Sequence, residues 1–172
     1  MEIIDLYDHR RIPTGETIIR GNPVPAGRYR SVIHICIFNM SGEMLIQRRQ
    51  NNAPRWPGYW DVSVGGGVSC GETPQTAAVR ELKEELGLDW DFSQAAPAVT
   101  VRFSEGFDDF FIIKKDVQTE ELRLQPEEVQ AVRWASLKDV LAMIDDGGFI
   151  PYRKSFVDFL FFLSRQSGTH DL

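Results

Sequence analysis

Alternating and helically spaced apolar positions divide the chain into short extended segments and three helices. SVIHICIF (31–38) and EMLIQRR (43–49) flank Asn39-Met40-Ser41-Gly42 and predict a hairpin. In the first of these, Ile33, Ile35 and Ile37 share one face, while Val32, His34, Cys36 and Phe38 share the other. Apolar residues on both faces predict a central strand, with His34 a packed residue rather than a ligand. DVSV (61–64), PAVTVRFS (97–104), FFIIKKDV (110–117) and VQAVRWAS (129–136) predict further strands, with an acidic turn at Asp108-Asp109. Residues 1–30 read as an extended decoration, two segments around the turn Pro13-Thr14-Gly15.

Helix signals are equally local. Thr73 is an N-cap, Pro74 takes the first helical position, and Gly87 stops the helix after Leu86. Ser136 with Asp139 three residues later opens a second helix through Ile144. A last helix, residues 153–165, is apolar nearly all round and is expected to be buried, with a homodimer contact as the alternative. Strands mixed with three helices predict an α/β fold around a mixed β-sheet, in one domain over 1–172.

Composition narrows the partners. The chain is 42% hydrophobic and 26% charged, ordinary for a chain with a real core. A formal net charge of -6 offers no basic face for a nucleic acid polymer. A phosphorylated small molecule stays compatible, because a divalent metal can dominate the local field. Cys36 and Cys70 have no disulfide-like or metal-like spacing, and His9 and His170 lie in peripheral segments. The N-terminus lacks a signal-peptide core, and the apolar run FVDFLFFL is too short to span a bilayer. The expected address is cytoplasmic, with no membrane association.

The chemistry concentrates in GGGVSCGETPQTAAVRELKEELGL, residues 65–88. At 100° per residue, Val79, Leu82 and Leu86 form the expected buried stripe of the helix. Glu81, Glu84 and Glu85 fall together on the adjoining sector, Arg80 is placed to pair with a carboxylate, and Glu72 stands at the helix's positive end. Like charges at this spacing repel, so the cluster is either a solvated face balanced by Arg80 and Lys83 or a cation site. Carboxylates beside a glycine loop make a hard-oxygen site suited to Mg²⁺ or Mn²⁺.

This run resembles the Nudix box, G-x5-E-x7-R-E-U-x-E-E-x-G-U with U aliphatic. Every constrained position is filled: Gly66, Glu72, Arg80, Glu81, Leu82, Glu84, Glu85, Gly87 and Leu88. The resemblance implies a Nudix fold, an α/β/α sandwich, and hydrolysis of a diphosphate bond in a nucleoside diphosphate derivative or similar small metabolite. It further implies that Glu81, Glu84 and Glu85 hold the metal with the carbonyl of Gly65 or Gly66, and that Glu72 and Arg80 orient those ligands. Glu81 or Glu84 takes the role of base, with Glu127 and Glu128 as outside candidates.

Upstream, DLYD, PTGE, GEMLIQRR and WPGYWDVSVGG resemble the Nudix subgroup related to isopentenyl-diphosphate isomerase. Isomerases of that type carry a cysteine just ahead of the box. Here Ser63-Val64-Gly65-Gly66-Gly67 has glycine at that place, and Cys70, five residues on, is no match. The reading is therefore a pyrophosphohydrolase, with a ligand-sensing Nudix module and an isoprenoid-diphosphate isomerase as alternatives.

Arg48, Arg49 and Arg55 are the candidate phosphate contacts, against an alternative of surface salt pairing. Trp56, Tyr59 and Trp60 are expected to pack the 51–60 loop onto the sheet rather than stack on a ligand.

Overall fold

The computed structural model describes residues 2–166, so His170 lies outside the described residues. The elements run β1 Ile3–Tyr7, β2 Pro13–Ile19, β3 Arg30–Phe38, β4 Met44–Arg49, β5 Trp60–Asp61, β6 Val64–Gly67 and α1 Pro74–Leu86. They continue with β7 Val99–Phe103, β8 Gly106–Lys114, a 3-10 turn at Thr119–Glu121, β9 Val129–Ala135, α2 Leu137–Asp145 and α3 Lys154–Arg165. β1 and β2 form a two-stranded antiparallel sheet, and the remaining seven strands form a second sheet in the order β5-β4-β3-β8-β7. β6 pairs with β3 and β9 with β4. The architecture is α/β, and β3 holds the central position that its two apolar faces predicted.

The chain packs as two compact units. The first comprises Met1–His34, Gly65–Glu81 and Asp89–Phe111. Its core includes Ile4, Leu6, Ile33, Ala77, Ala78, Phe92, Phe110 and Phe111, all buried. Phe92 meets Phe111 edge-on at 5.3 Å, and His34 stacks on Phe110 at 4.4 Å as a packed strand residue. The second comprises Ile35–Val64, Leu82–Leu88 and Ile112–Leu172. Here Ile35, Ile37, Leu45, Val140, Phe149, Leu160 and Phe161 are buried, and Phe38 meets Phe161 edge-on at 5.0 Å.

Three local expectations shift. The N-terminal turn is at 8–12, not at Pro13–Gly15, because Asp8 Oδ1 accepts from the amides of Arg10 (2.8 Å) and Ile12 (2.9 Å). Asp108-Asp109 is not a turn: both residues lie in β8, and the β7–β8 hairpin closes at Ser104-Glu105. A buried aspartate is tolerated mid-strand because Arg11 grips Asp109 with two nitrogens and Thr100 donates to it at 2.6 Å. Finally, Gly65, Gly66 and Gly67 are no loop but part of strand β6, and the loop to α1 begins after them.

The helix ends follow their sequence signals. Thr73 Oγ1 accepts from the Thr76 amide at 3.2 Å, the capping bond expected of an N-cap threonine. Gly87 takes φ +70°, and the amides of Gly87 and Leu88 return to the carbonyls of Lys83 and Leu82. Ser136 and Asp139 form a reciprocal capping box at α2. In α3, Val157, Leu160, Phe161 and Ser164 are buried, while Phe162 is exposed on the other side. α3 is thus amphipathic rather than buried all round.

Candidate active site

The acidic helix turns two of its three carboxylates inward. Residues Ala77, Ala78, Glu81, Leu82, Glu85 and Leu86 of α1 are buried, whereas Val79 is 43% exposed. The expected stripe of Val79, Leu82 and Leu86 is therefore wrong by one position. The buried arc is centred so that it includes two glutamates, with relative exposures of 5% for Glu81 and 1% for Glu85. Burying a carboxylate is expensive without donors or a cation. An ordinary solvated helix face would have placed Val79 inside and these glutamates outside. Glu84 stays exposed.

Each buried glutamate is held by its own surroundings. Glu81 Oε1 accepts from Arg80 Nη1 at 2.8 Å. A Cβ placed on Gly66 would fall 2.0 Å from Glu81 Oε1, so the carboxylate occupies the space a side chain would take. That close approach is the physical reason for glycine there. Glu85 Oε2 accepts from Gln47 Nε2 at 2.8 Å, and Gln47 on β4 is itself buried. Gln47 carries no signal in the sequence that marks it as a partner of the box, since its contact depends on strand pairing.

Arg80 is the hub of the first unit's charges. Its Nε donates to Glu72 Oε1 (2.7 Å), and Nη2 donates to Glu72 Oε2 (2.8 Å) and to the Gly67 carbonyl (3.0 Å). The fork geometry suits a bidentate carboxylate. Glu72 also accepts from the Ser69 amide at 2.9 Å. The Arg80 guanidinium, with help from Ser69, holds the Glu72 carboxyl below its ordinary value, against the effect of burial. Arg80 in turn is held more firmly protonated by Glu72 and Glu81.

The donor chemistry suits a hard divalent ion in each unit taken by itself: in the first, Glu81 lies buried against a glycine strand without side chains, and in the second, Glu85 is buried and Glu84 precedes it in the chain. Among the described residues, however, no three or more His, Cys, Asp or Glu side chains stand assembled as a metal-holding group.

Two of the three arginines, Arg48 and Arg49, are engaged with their own loop. Arg48 Nε donates to the Gly58 carbonyl at 3.1 Å, and Arg49 Nε donates to the Arg55 carbonyl at 3.2 Å. Arg49 also lies 3.7 Å from Asp61, to which Tyr152 donates at 2.9 Å. Trp56 meets Tyr59 edge-on at 5.3 Å, and Arg133 lies over the Trp60 ring at 5.1 Å. Neither thiol is activated. Burial pushes Cys36 far up, and Asp5, through a side-chain hydrogen bond, raises Cys70.

The NUDIX domain model matches residues 27–157. The chain is 44% identical over 170 residues to an uncharacterized Nudix hydrolase of Listeria monocytogenes, covering 99% of each. It is 30% identical over 155 residues to the isopentenyl-diphosphate Delta-isomerase of Escherichia coli, covering 84% of this chain and 82% of that one. The crystal structure of DR0079 from Deinococcus radiodurans superposes with a TM-score of 0.73 at 25% identity, covering 92% and 97% of the two chains. No helix among the described residues is long and apolar enough to cross a membrane. With its complete box, its fold and a relative matched end to end, the chain belongs to the Nudix hydrolase family, enzymes that generally depend on divalent metal ions.

Proposed function

We propose that this protein hydrolyses a diphosphate bond in a nucleoside diphosphate derivative or similar small metabolite, using Mg²⁺ or Mn²⁺, and that residues 1–172 act as one Nudix domain. The observation that carries this reading is the burial of Glu81 and Glu85 on the inward edge of α1, beside glycines and donors rather than in water. Glu81, Glu84 and Glu85, with a carbonyl of Gly65 or Gly66, are the residues to hold the ion. Mg²⁺ or Mn²⁺ there supplies charge that polarises the phosphate oxygens and acidifies a water.

The chain's own residues do the rest. Arg80, braced by both Glu72 oxygens, fixes the Glu81 carboxylate against Gly66 and limits its rotation. Gln47 fixes Glu85 in the same way. Glu84, the exposed member of the three, is the better suited of the two candidate bases to receive a proton from water. Arg48 and Arg49 tie the 51–60 loop to its strands, which favours a supporting role over direct phosphate binding. Arg55, exposed on that loop, remains the arginine suited to meeting a phosphate.

Isomerase relatives at 30% identity raise a second reading, isomerisation of an isoprenoid diphosphate. Against it stand Gly65 in the cysteine's place and two thiols held protonated. The deciding experiment is release of phosphate or a nucleotide product from a panel of diphosphate metabolites with Mg²⁺ or Mn²⁺. Turnover that disappears in Glu84→Gln and Glu85→Gln with folding retained supports hydrolysis. Double-bond migration in isopentenyl diphosphate, with no hydrolysis across the panel, overturns it.

A further inference from the structure

The N-terminal hairpin reads from sequence as a decoration, yet it holds the entrance to the box. β1 is fixed in the first unit by Ile4 and Leu6, 4% and 1% exposed, and by reciprocal backbone bonds between Tyr7 and Tyr29. One edge of β1 pairs with β2. The other edge faces the start of the box, where the Cys70 amide donates to the Ile3 carbonyl at 2.8 Å.

Ser69-Cys70-Gly71-Glu72 is a tight turn, closed by the Glu72 amide on the Ser69 carbonyl at 3.0 Å, with Gly71 at φ +80°. A type II turn requires that φ at its third position. Backbone donors need partners, and all four amides of this turn have one. The Ser69 amide donates to Glu72 Oε2 at 2.9 Å, and the Glu72 amide closes the turn. Both central amides go to β1: Cys70 to Ile3, and Gly71 to Asp5 Oδ2 at 2.7 Å. An ionised acceptor on a backbone amide makes a strong bond. Glu2 adds a second tie, accepting from Ser69 Oγ at 3.0 Å and from Arg20 Nη1 at 2.6 Å. The Arg20 guanidinium lies against β6, where a Cβ on Gly67 would be 3.2 Å from its Cζ.

The turn ends on Glu72, whose two oxygens are gripped by Arg80, and Arg80 holds Glu81 against Gly66. A displaced turn therefore carries Glu72 and its arginine with it. We propose that Asp5 is a positioning residue for the box: from β1 it fixes turn 69–72, so that Glu72 and Arg80 hold the Glu81 carboxylate in one orientation. The Glu2–Arg20 pair is partly exposed and contributes less by itself. If β1 served only to cover the core with Ile4 and Leu6, Asp5 would affect stability and nothing at Arg80. That the oriented carboxylate serves a metal ion rests on the hydrolase reading, while the bracing rests on the hydrogen bonds alone.

The test compares full-length wild type with Asp5→Ala, which removes the acceptor, and Asp5→Asn, which keeps an oxygen for the Gly71 amide. Glu16→Ala is the control: it removes the hairpin's ion pair with Arg28 and leaves the bonds to the turn in place. Two signals are read in the metal-free protein, hydrogen exchange of the Gly71 amide and of the Arg80 Nε–H, each beside the thermal midpoint. Asp5→Ala is expected to speed both at least about fivefold, the scale of one lost hydrogen bond. Asp5→Asn should return both to within about twofold of wild type, and Glu16→Ala should leave them there whatever it does to the midpoint. Mn²⁺ binding without substrate, followed by the electron paramagnetic resonance of the free ion, should weaken about three- to tenfold in Asp5→Ala, as for loss of a group that orients a ligand from behind. An Arg80 Nε–H that exchanges in Asp5→Ala as in wild type overturns the proposal. So does an Asp5→Asn variant no better than Asp5→Ala, or a Glu16→Ala variant that disturbs Arg80 equally. Absence of Mn²⁺ binding in the wild type would count against the hydrolase reading, and the Arg80 signal would still decide whether Asp5 braces the box.

Discussion

Gln47 on β4 donates its side-chain amide to Glu85 of α1 at 2.8 Å, and both residues are almost wholly buried. This bond places the last glutamate of the acidic edge without leaving the choice to solvent. Gln47→Leu removes the donor and keeps the volume. It is expected to lower stability by about 1–3 kcal/mol, the usual cost of stripping a hydrogen bond from a buried charge. Activity at saturating metal should fall less than activity at limiting metal, because the ligand set is loosened rather than removed. Urea midpoints together with Mn²⁺ titrations of turnover check both parts, and an unchanged metal dependence would show that Gln47 is only packing.

Gly66→Ala puts a methyl group where Glu81 now lies. The added Cβ would sit 2.0 Å from Glu81 Oε1 and 2.5 Å from Cγ, so the glutamate must swing away. We expect turnover to drop at least about a hundredfold, as for a displaced reacting geometry, with the far-ultraviolet dichroism retained. Gly71→Ala is the control for a glycine with nothing within 4 Å, although its φ of +80° makes it a stability control rather than a silent one.

Glu72 offers a pH test. Its folded pKa lies below the ordinary 4.5, chiefly through Arg80. The unfolded state therefore binds the proton more readily, and the pair's contribution is complete above about pH 4.5 and lost as pH falls through the lower folded value. Glu72→Gln should destabilise the protein at pH 7 by about 1–2 kcal/mol, in line with a charge-assisted pair that is only partly buried. The wild-type advantage should shrink steadily as the pH drops below 4.5. Denaturation at pH 7, 5 and 3.5 measures this, and a constant difference across the range would contradict the assignment.

The thiols make a sharp negative prediction. Cys36 is buried with its thiol pushed up, and Cys70 is exposed with its thiol raised by Asp5. Cys70→Ser should leave hydrolysis within about twofold of wild type, as expected for a surface change outside the site. A Cys70→Ser variant that loses turnover would return cysteine chemistry to consideration.

How much of this was visible in the chain differs from place to place. The helix ends at Thr73, Gly87 and Ser136 were legible because capping is a matter of three or four consecutive residues. The central place of β3 was legible because both of its faces are apolar. The box was legible as a spacing of residue types.

What failed were the readings that depended on distant partners. Asp108-Asp109 looks like a turn until Arg11, nearly a hundred positions away, neutralises Asp109 inside a strand. The glycine run looks like a loop until β3 pairs with it. Val79 looks buried by helical spacing alone, yet packing rotates the inward arc toward Glu81 and Glu85. By itself the sequence determined the box's spacing of residue types, where each helix begins and ends, and which strand lies at the centre, because those depend on short-range sterics and on counting. Only the tertiary structure decided which carboxylates are buried, that Gln47 and Gly66 accommodate them, and that β1 takes the turn amides of Cys70 and Gly71. Those facts arise from contacts between residues far apart in the chain, and no local pattern encodes them.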